Sequence, residues 1–432
     1  MRLANLKNMP VQYLLGLKCA EGCQREYTLL PTNTCELDFG PLSVKYDFDR
    51  IARDVSRQKI HGREPTMWRY IEFLPIDAEQ KPATSLDTGY TPLLRANNLA
   101  RALGVNELYI KNDTVNPTNS FKDRVVEMAV AKAIEFGYDS IACVSTGNLA
   151  NAVSAHAARA GLRAYVLIPD TLEAEKIIAI GAFGPNLIRI SGAYDQVNRL
   201  GSEIVDAHPK IPFANVNLRA YYGEGSKPMG YEIAEQLGWR APAHIVVPVA
   251  GASLITKVHK ALREFHRVGL IDEPRTRMYA AQGAGCAPVS NAYLNGRQNI
   301  QPIPPNQIIG IAKSLAIGNP ADGDLALKVI RETKGGAGVA TDDEIMQGIG
   351  LLAATEGVWG ETAAGVTVAV AKKLIDQGVI PRDDGPIVLL ITGHGYKTPN
   401  ATPRKDLLNS IGPNLSEFDG VIQTLEERAK SV

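Results

Sequence analysis

Through the middle of the chain, short apolar runs alternate with longer stretches whose apolar residues recur at helical spacing. Ser140–Val144 reads as a buried strand, and Asn148–Ala160 as an Ala-rich helix that Gly161 ends. Residues 164–168 form the next strand, stopped by Pro169. Residues 172–180 read as helix, Asn186–Ile190 as strand, Tyr194–Ala207 as helix and 212–216 as a closing strand. Strands that alternate with helices predict a parallel sheet covered on both faces. Residues 126–216 are expected to form a small βα domain of their own.

The later half repeats the rhythm. Residues 231–237 and 254–265 read as helices, and 244–247 and 278–281 as strands. Thr341-Asp342-Asp343-Glu344 is a capping box that opens a helix towards Glu356. Residues 361–377 are helical, and 386–391 form a near-continuous apolar strand. Segment 85–125 precedes the small domain, so a larger domain is expected from both sides of it, 46–125 and 217–400. Residues 1–45 form a small appendage, and 401–432 a polar tail with one amphipathic stretch, 415–429. The expected class is α/β: two domains, each with a mostly parallel sheet flanked by helices, plus an N-terminal zinc-ribbon-like hairpin.

Composition narrows the function. In 432 residues, 45% hydrophobic and 21% charged content describe an ordinary globular protein. With 46 basic and 46 acidic residues, the zero net charge removes the electrostatic case for nucleic-acid binding. No apolar run approaches membrane-spanning length, so no membrane partner is expected. Arg2, Lys7 and Lys18 stand in a lead without acids, but the lead lacks the features of a targeting peptide. The cytoplasm is the default compartment.

Cys19 and Cys23, then Cys35, follow the arrangement of two zinc knuckles on a hairpin. The first knuckle carries one extra residue, and Asp38 stands where a fourth cysteine is expected. A degenerate ribbon that has lost its metal is favoured on these two departures. The alternative is a surviving site of Cys19, Cys23, Cys35 and Asp38.

Five segments carry candidate chemistry. In Asn116–Val126, NPTNSFKDRVV, Lys122 follows a turn and opens an apolar-periodic stretch. Burial and the positive end of a helix dipole both favour a neutral amine, the form that bonds a carbonyl carbon. A surface lysine at a helix start is the other reading. Ser145, Thr146, Gly147, Asn148 and Leu149 follow a strand and open a helix, an arrangement suited to an anion or to a simple cap. Ala250, Gly251, Ala252, Ser253 and Leu254 are small residues at another helix start, suited to phosphate or to a tight turn. Thr392 ends the apolar strand 386–391, and His394 beyond it reads as a turn residue. Asn215, Asn217 and Arg219 precede Gly223-Glu224-Gly225-Ser226-Lys227; a guanidinium fork suits phosphate, and a surface ion pair is the plain alternative. Lys313 is either a further phosphate contact or an outward wall residue.

The run NPTNSFKDR resembles the lysine motif of threonine synthases, pyridoxal-phosphate enzymes of the tryptophan-synthase-β type. The segments at Ser145, Ala250 and Thr392 fall in that family's order, and the resemblance spans roughly residues 90–400. Family members usually carry Gly where this chain has Asn119, and their phosphate loop is richer in Gly and Asn. The resemblance implies pyridoxal 5'-phosphate as cofactor, covalently held on Lys122. It implies Asn148 on the cofactor's 3-oxygen, the 250–254 loop on its phosphate and Thr392 on its ring nitrogen. Ser145, Thr146, Gly147 and Leu149 would hold the substrate carboxylate, and Arg219 with Asn215 or Asn217 the substrate phosphate. The implied reaction converts O-phospho-L-homoserine and water to L-threonine and phosphate, in a homodimer. A phosphoserine-using synthase or a serine/threonine dehydratase would share the fold. An inactive binding protein is the rival of another class, against which Lys122, Asn148 and Thr392 all stand.

Overall fold

The computed structural model describes residues 13–20, 22–77, 81–145, 147–170, 172, 174–191, 194–403 and 410–430. Thr146 lies outside them, as do Arg2 and Lys7 of the lead. Side chains are described except at 174–175, 194–199 and 428–430. The chain divides at residue 402 into a large unit and a short C-terminal one.

Among the described residues, the large unit holds three sheets. The first is antiparallel, in the order β2 (Glu26–Tyr27), β1 (Leu14–Cys19), β3 (Leu42–Tyr46). The second has six strands, in the order β11 (Gly336–Ala340), β10 (Arg277–Gly283), β9 (His244–Pro248), β12 (Ile387–Ile391), β5 (Leu108–Asn112), β4 (Leu93–Arg95). All its pairings are parallel except the edge strand β4. The third is parallel, in the order β6 (Ser140–Val144), β7 (Arg163–Pro169), β8 (Asn186–Ile190). Helices connect the parallel strands, as such crossovers require. β6, β9 and β12 are buried along their whole length, which is why they read as unbroken apolar runs.

The Asn148–Ala160 helix ends where Gly161 turns left-handed at φ +68°, and Thr341 and Glu344 make both bonds of the capping box. Segment 212–216 differs from the expected strand. Phe213 makes one bridge to Ala142, and then the chain turns. Asn217 Oδ1 takes the Phe213 N–H at 2.8 Å, and the Leu218 N–H bonds the Phe213 carbonyl, so local partners replace a ladder. The helix that begins with Lys122 runs to Glu135, so it starts before the expected boundary at 126.

A buried charge cluster ties the helix Lys122–Glu135 to the six-stranded sheet. Arg124 bonds Asp113, just beyond β5, and Glu232 on the helix Lys227–Gln236, all three side chains being fully buried. Gly225 lets the next turn approach closely: a Cβ there would lie 2.6 Å from the Arg124 carbonyl. No helix among the described residues is long and apolar enough to cross a membrane. The C-terminal unit contains one helix, Leu415–Lys430, whose entry Asn414 caps by accepting the Glu417 N–H at 3.0 Å.

Candidate active site

Two strand ends and two helix starts converge around Lys122. It is the first residue of its helix, and the turn before it is stitched to the end of β12. The Phe121 N–H donates to the Thr392 carbonyl at 2.8 Å, Ser120 bridges Gly393, and the His394 N–H donates to the Asn119 carbonyl at 3.0 Å. This ladder places Lys122 and Thr392, distant in sequence, in one short frame. Asn119 takes φ +61°, the left-handed region that favours glycine. Asparagine tolerates that region, and its Nδ2 is tied to the Thr114 carbonyl at 3.1 Å. The departure at Asn119 therefore keeps the turn.

Among the described residues the Lys122 amine has no hydrogen-bond or ion-pair partner; its Nζ lies 5.2 Å from the centre of the Phe121 ring. Burial pushes its pKa down, Glu361 pulls it partly back, and it settles at about 8. A neutral fraction of roughly a tenth is thus present at pH 7, far more than an ordinary lysine has, as carbonyl chemistry needs. The surface-lysine reading does not fit these surroundings.

The helix Asn148–Ala160 opens beside it. Ser145 Oγ accepts the Gly147 N–H at 3.2 Å and the Ala150 N–H at 3.1 Å, so Ser145 acts as a cap. Asn148 donates Nδ2 to both carboxylate oxygens of Glu361, each at 3.0 Å. Glu361 was read from sequence only as a helix start, a harmless place for an acid. It is 2% exposed, and burial pushes its pKa up while Asn148, Lys397, Lys122 and Lys176 oppose that. No signal in one sequence marks such a carboxylate, because its partners come from other elements.

After β9, Ala250, Gly251, Ala252, Ser253 and Leu254 lead into the helix Ser253–Arg267. Ala252 sits at φ +69°, a left-handed position that glycine would adopt without strain. The N–H groups of the first turn have no intrahelical acceptor and face outwards past small side chains. A phosphate group fits that cradle by its chemistry. Thr392, 8% exposed, presents a neutral hydroxyl at the end of β12, and the lone amine of Lys122 completes the fit to pyridoxal phosphate.

The phosphate-directed residues are more occupied than their sequence suggests. Asn215 brackets β6, accepting the Val144 N–H at 3.4 Å and donating to its carbonyl at 3.2 Å. Asn217 Oδ1 is spent on Phe213. Arg219 opens the helix Arg219–Glu224 and pairs with Asp322 at 2.6 Å. The Asp322 N–H in turn donates to the Gly251 carbonyl at 3.2 Å, linking Arg219 to the cofactor loop. Lys257, one turn beyond Ser253, bonds Glu224 at 2.5 Å and is a cation that sequence reading missed. Lys313 is exposed at the start of a short turn, Lys313–Leu315. His394 caps its own turn, its Nδ1 accepting the Tyr396 N–H at 3.1 Å, and stacks on Tyr396.

Residues 84–393 match the family described as pyridoxal-phosphate dependent enzyme. A threonine synthase of Methanocaldococcus jannaschii is 38% identical over 372 residues, covering 86% of this chain and 90% of that one. The chain belongs to the threonine synthase family of pyridoxal-phosphate dependent enzymes. A second member, from Methanosarcina acetivorans, is 36% identical over 385 residues, 89% of this chain and 92% of its own. Solved structures of more distant proteins share the fold. Maize serine racemase superimposes with a TM-score of 0.58 at 18% identity, covering 78% of this chain and 93% of that one. A threonine deaminase of Solanum lycopersicum gives 0.59 at 21% identity, covering 72% and 87%. The α/β class read from the sequence is therefore the family's own, and its cofactor is pyridoxal 5'-phosphate.

Outside this centre, Cys19, Cys23, Cys35 and Asp38 bring their donor atoms within 4.8 Å of one another. Cys23 and Cys35 sulfurs lie 3.5 Å apart, and Asp38 sits 3.3 Å from the Cys19 sulfur. Gly22 and Gly40 clear the space, since a Cβ at Gly22 would collide with Asp38 and one at Gly40 would crowd it. Three thiolates and a carboxylate on a hairpin suit a tetrahedral zinc ion, whose ligand sulfurs stand about 3.8 Å apart by its bond lengths.

Proposed function

We propose that this chain converts O-phospho-L-homoserine and water to L-threonine and phosphate. The observation that carries this reading is the unpartnered Lys122 amine, part-neutral near pH 8 and locked in frame with Thr392. Bound pyridoxal phosphate supplies an electron sink next to the substrate's α-carbon. Lys122 would hold it in the resting enzyme and move protons at the substrate's α- and β-carbons. Asn148 and Thr392 would meet the ring, and residues 250–254 its phosphate. Ser145, Thr146, Gly147 and Leu149 would surround the substrate carboxylate, with Asn215, Asn217, Arg219 and Lys313 as candidates for its phosphate. The proposal extends to a cytoplasmic homodimer acting on a small phosphorylated amino acid, without nucleic acid or membrane. Phosphate release and threonine formation, measured with O-phosphohomoserine beside O-phosphoserine, test it. Turnover of O-phosphoserine alone would reassign the substrate.

Arg219 provides a sharper check. Its pairing with Asp322 supplies a counter-charge from which a substrate phosphate can recruit it. Arg219→Ala is expected to cost about 2–3 kcal/mol in kcat/KM, the lower part of the range for a charged partner because the guanidinium is part-exposed. The cofactor's affinity and visible spectrum should stay unchanged. Weakened cofactor binding with normal substrate kinetics would instead put Arg219 on the cofactor, through the Asp322–Gly251 link.

A second reading concerns the hairpin. The convergence of its four donors favours a bound zinc ion over the metal loss that the sequence departures favour. Elemental analysis of purified protein after washing with a weak chelator should find one zinc per chain, and none after Cys35→Ser. Absence of zinc in the unaltered protein would restore the lost-metal reading.

A further inference from the structure

Glu361 has a feature that a helix-start acid does not need. It precedes the helix Thr362–Asp376, yet its side chain makes no capping bond to that helix. It reaches instead to Asn148, at the start of a helix that follows β6 of the other parallel sheet. Only the amide nitrogen of asparagine can donate to a carboxylate, so this contact decides which way round the Asn148 amide stands. Asn148 is the residue placed against the cofactor ring, and Lys122 faces the same carboxylate. Gly393 supplies the room, because a Cβ there would lie 2.2 Å from Glu361 Oε1.

We propose that Glu361 is a positioning residue of this reaction: it holds the Asn148 amide nitrogen on its carboxylate, which leaves the amide one orientation beside the cofactor, and it sets the charge that Lys122 feels. The inference rests on Lys122 holding the cofactor. A merely structural bracket between two helices would need an acceptor and not a charge. The groups that face Glu361 are Lys122, Asn148, Lys176 and Lys397, with His394 on the adjoining turn and Asp123 beside Lys397. Three of these are lysines, so one buried negative charge serves several amines, and its loss is felt by each.

Glu361→Gln separates the two roles, because it keeps the reach and one acceptor but removes the charge. In the holoenzyme, the pH midpoint of the visible cofactor band is expected to fall by about one unit, since an opposite charge no longer favours the protonated form of the Lys122 nitrogen that carries the cofactor. kcat should drop about tenfold or more with KM little changed, and the melting midpoint should hold. Glu361→Asp keeps the charge but is too short for both bonds; it should hold the band midpoint and lose kcat. If Glu361→Gln does not fold, an unchanged kcat in Glu361→Asp overturns the proposal by itself. An unmoved band midpoint and unchanged kcat in a folded Glu361→Gln protein also overturn it. Lys122→Ala distinguishes the underlying reading: if that variant keeps the band, Lys122 does not hold the cofactor, whereas a lost band beside an inert Glu361→Gln overturns only the role of Glu361.

Discussion

Lys122→Ala should abolish turnover, with a fall of about a thousandfold or more, and should release the covalently held cofactor. The proposed reaction puts two functions on this one amine, attachment and proton transfer, and the second alone is commonly worth two to four orders of magnitude. The structure sets the terms of the test. Lys397 also stands near Glu361, and burial lowers its pKa as well. Borohydride reduction followed by peptide mapping decides between them. A reduced label on Lys122 in the unaltered enzyme, absent from Lys122→Ala, is the expected result. A label on Lys397 in either protein would move the chemistry one turn beyond β12, and the frame that joins Phe121 to Thr392 would then serve the fold alone. Lys122→Arg adds a control: it keeps the positive charge and the helix start but cannot carry the cofactor, so it should be as inactive as alanine.

Three of the strands that were plain in the sequence, β6, β9 and β12, are buried along their whole length. β6, β9 and β12 have no polar residue that must reach water. β5 was missed because Lys111 interrupts it, and only the structure shows that amine fully buried against Glu232 at 2.6 Å. β11 was missed because Gly336-Ala337-Gly338 has too little side chain to show a pattern. Gly338 is small for a reason outside its own segment, since a Cβ there would meet Val370 at 2.8 Å. The site divides in the same way. Lys122, Asn148 and Thr392 lie in segments whose local order carries the resemblance. Glu361, Asp322 and Lys257 act through partners far away in sequence, which no local pattern records. The occupied state of Asn215, Asn217 and Arg219 is likewise a tertiary fact.

Arg124→Met should be the most damaging single change to stability, at about 3–5 kcal/mol. The guanidinium is fully buried and meets Asp113 at 2.7 and 2.9 Å and Glu232 at 2.5 and 2.8 Å. Thr91 accepts a further bond at 3.1 Å, and Lys111 shares Glu232. Removing the arginine leaves two carboxylates in the interior with Lys111 as the one remaining cation of this group. An exposed pair gives the contrast: Lys372→Ala, which breaks the 2.6 Å contact with Asp376, should cost about 0.5 kcal/mol or less. Denaturant midpoints of the two variants measure both. The pH dependence has a definite sign. Burial pushes the Glu232 pKa up, but Arg124 and Lys111 outweigh it and hold it at about 2. A carboxylate held below its unfolded value contributes stability above roughly pH 4.3 and loses it as pH falls towards 2. The gap between unaltered protein and Arg124→Met should therefore be full at neutral pH and narrow below about pH 4.3. A gap that is small at neutral pH, or constant through the acid range, would mean that the cluster does not anchor the Lys122 helix. Lys122 lies two residues before Arg124 on that helix, so residual activity in the variant should fall further than its folded fraction.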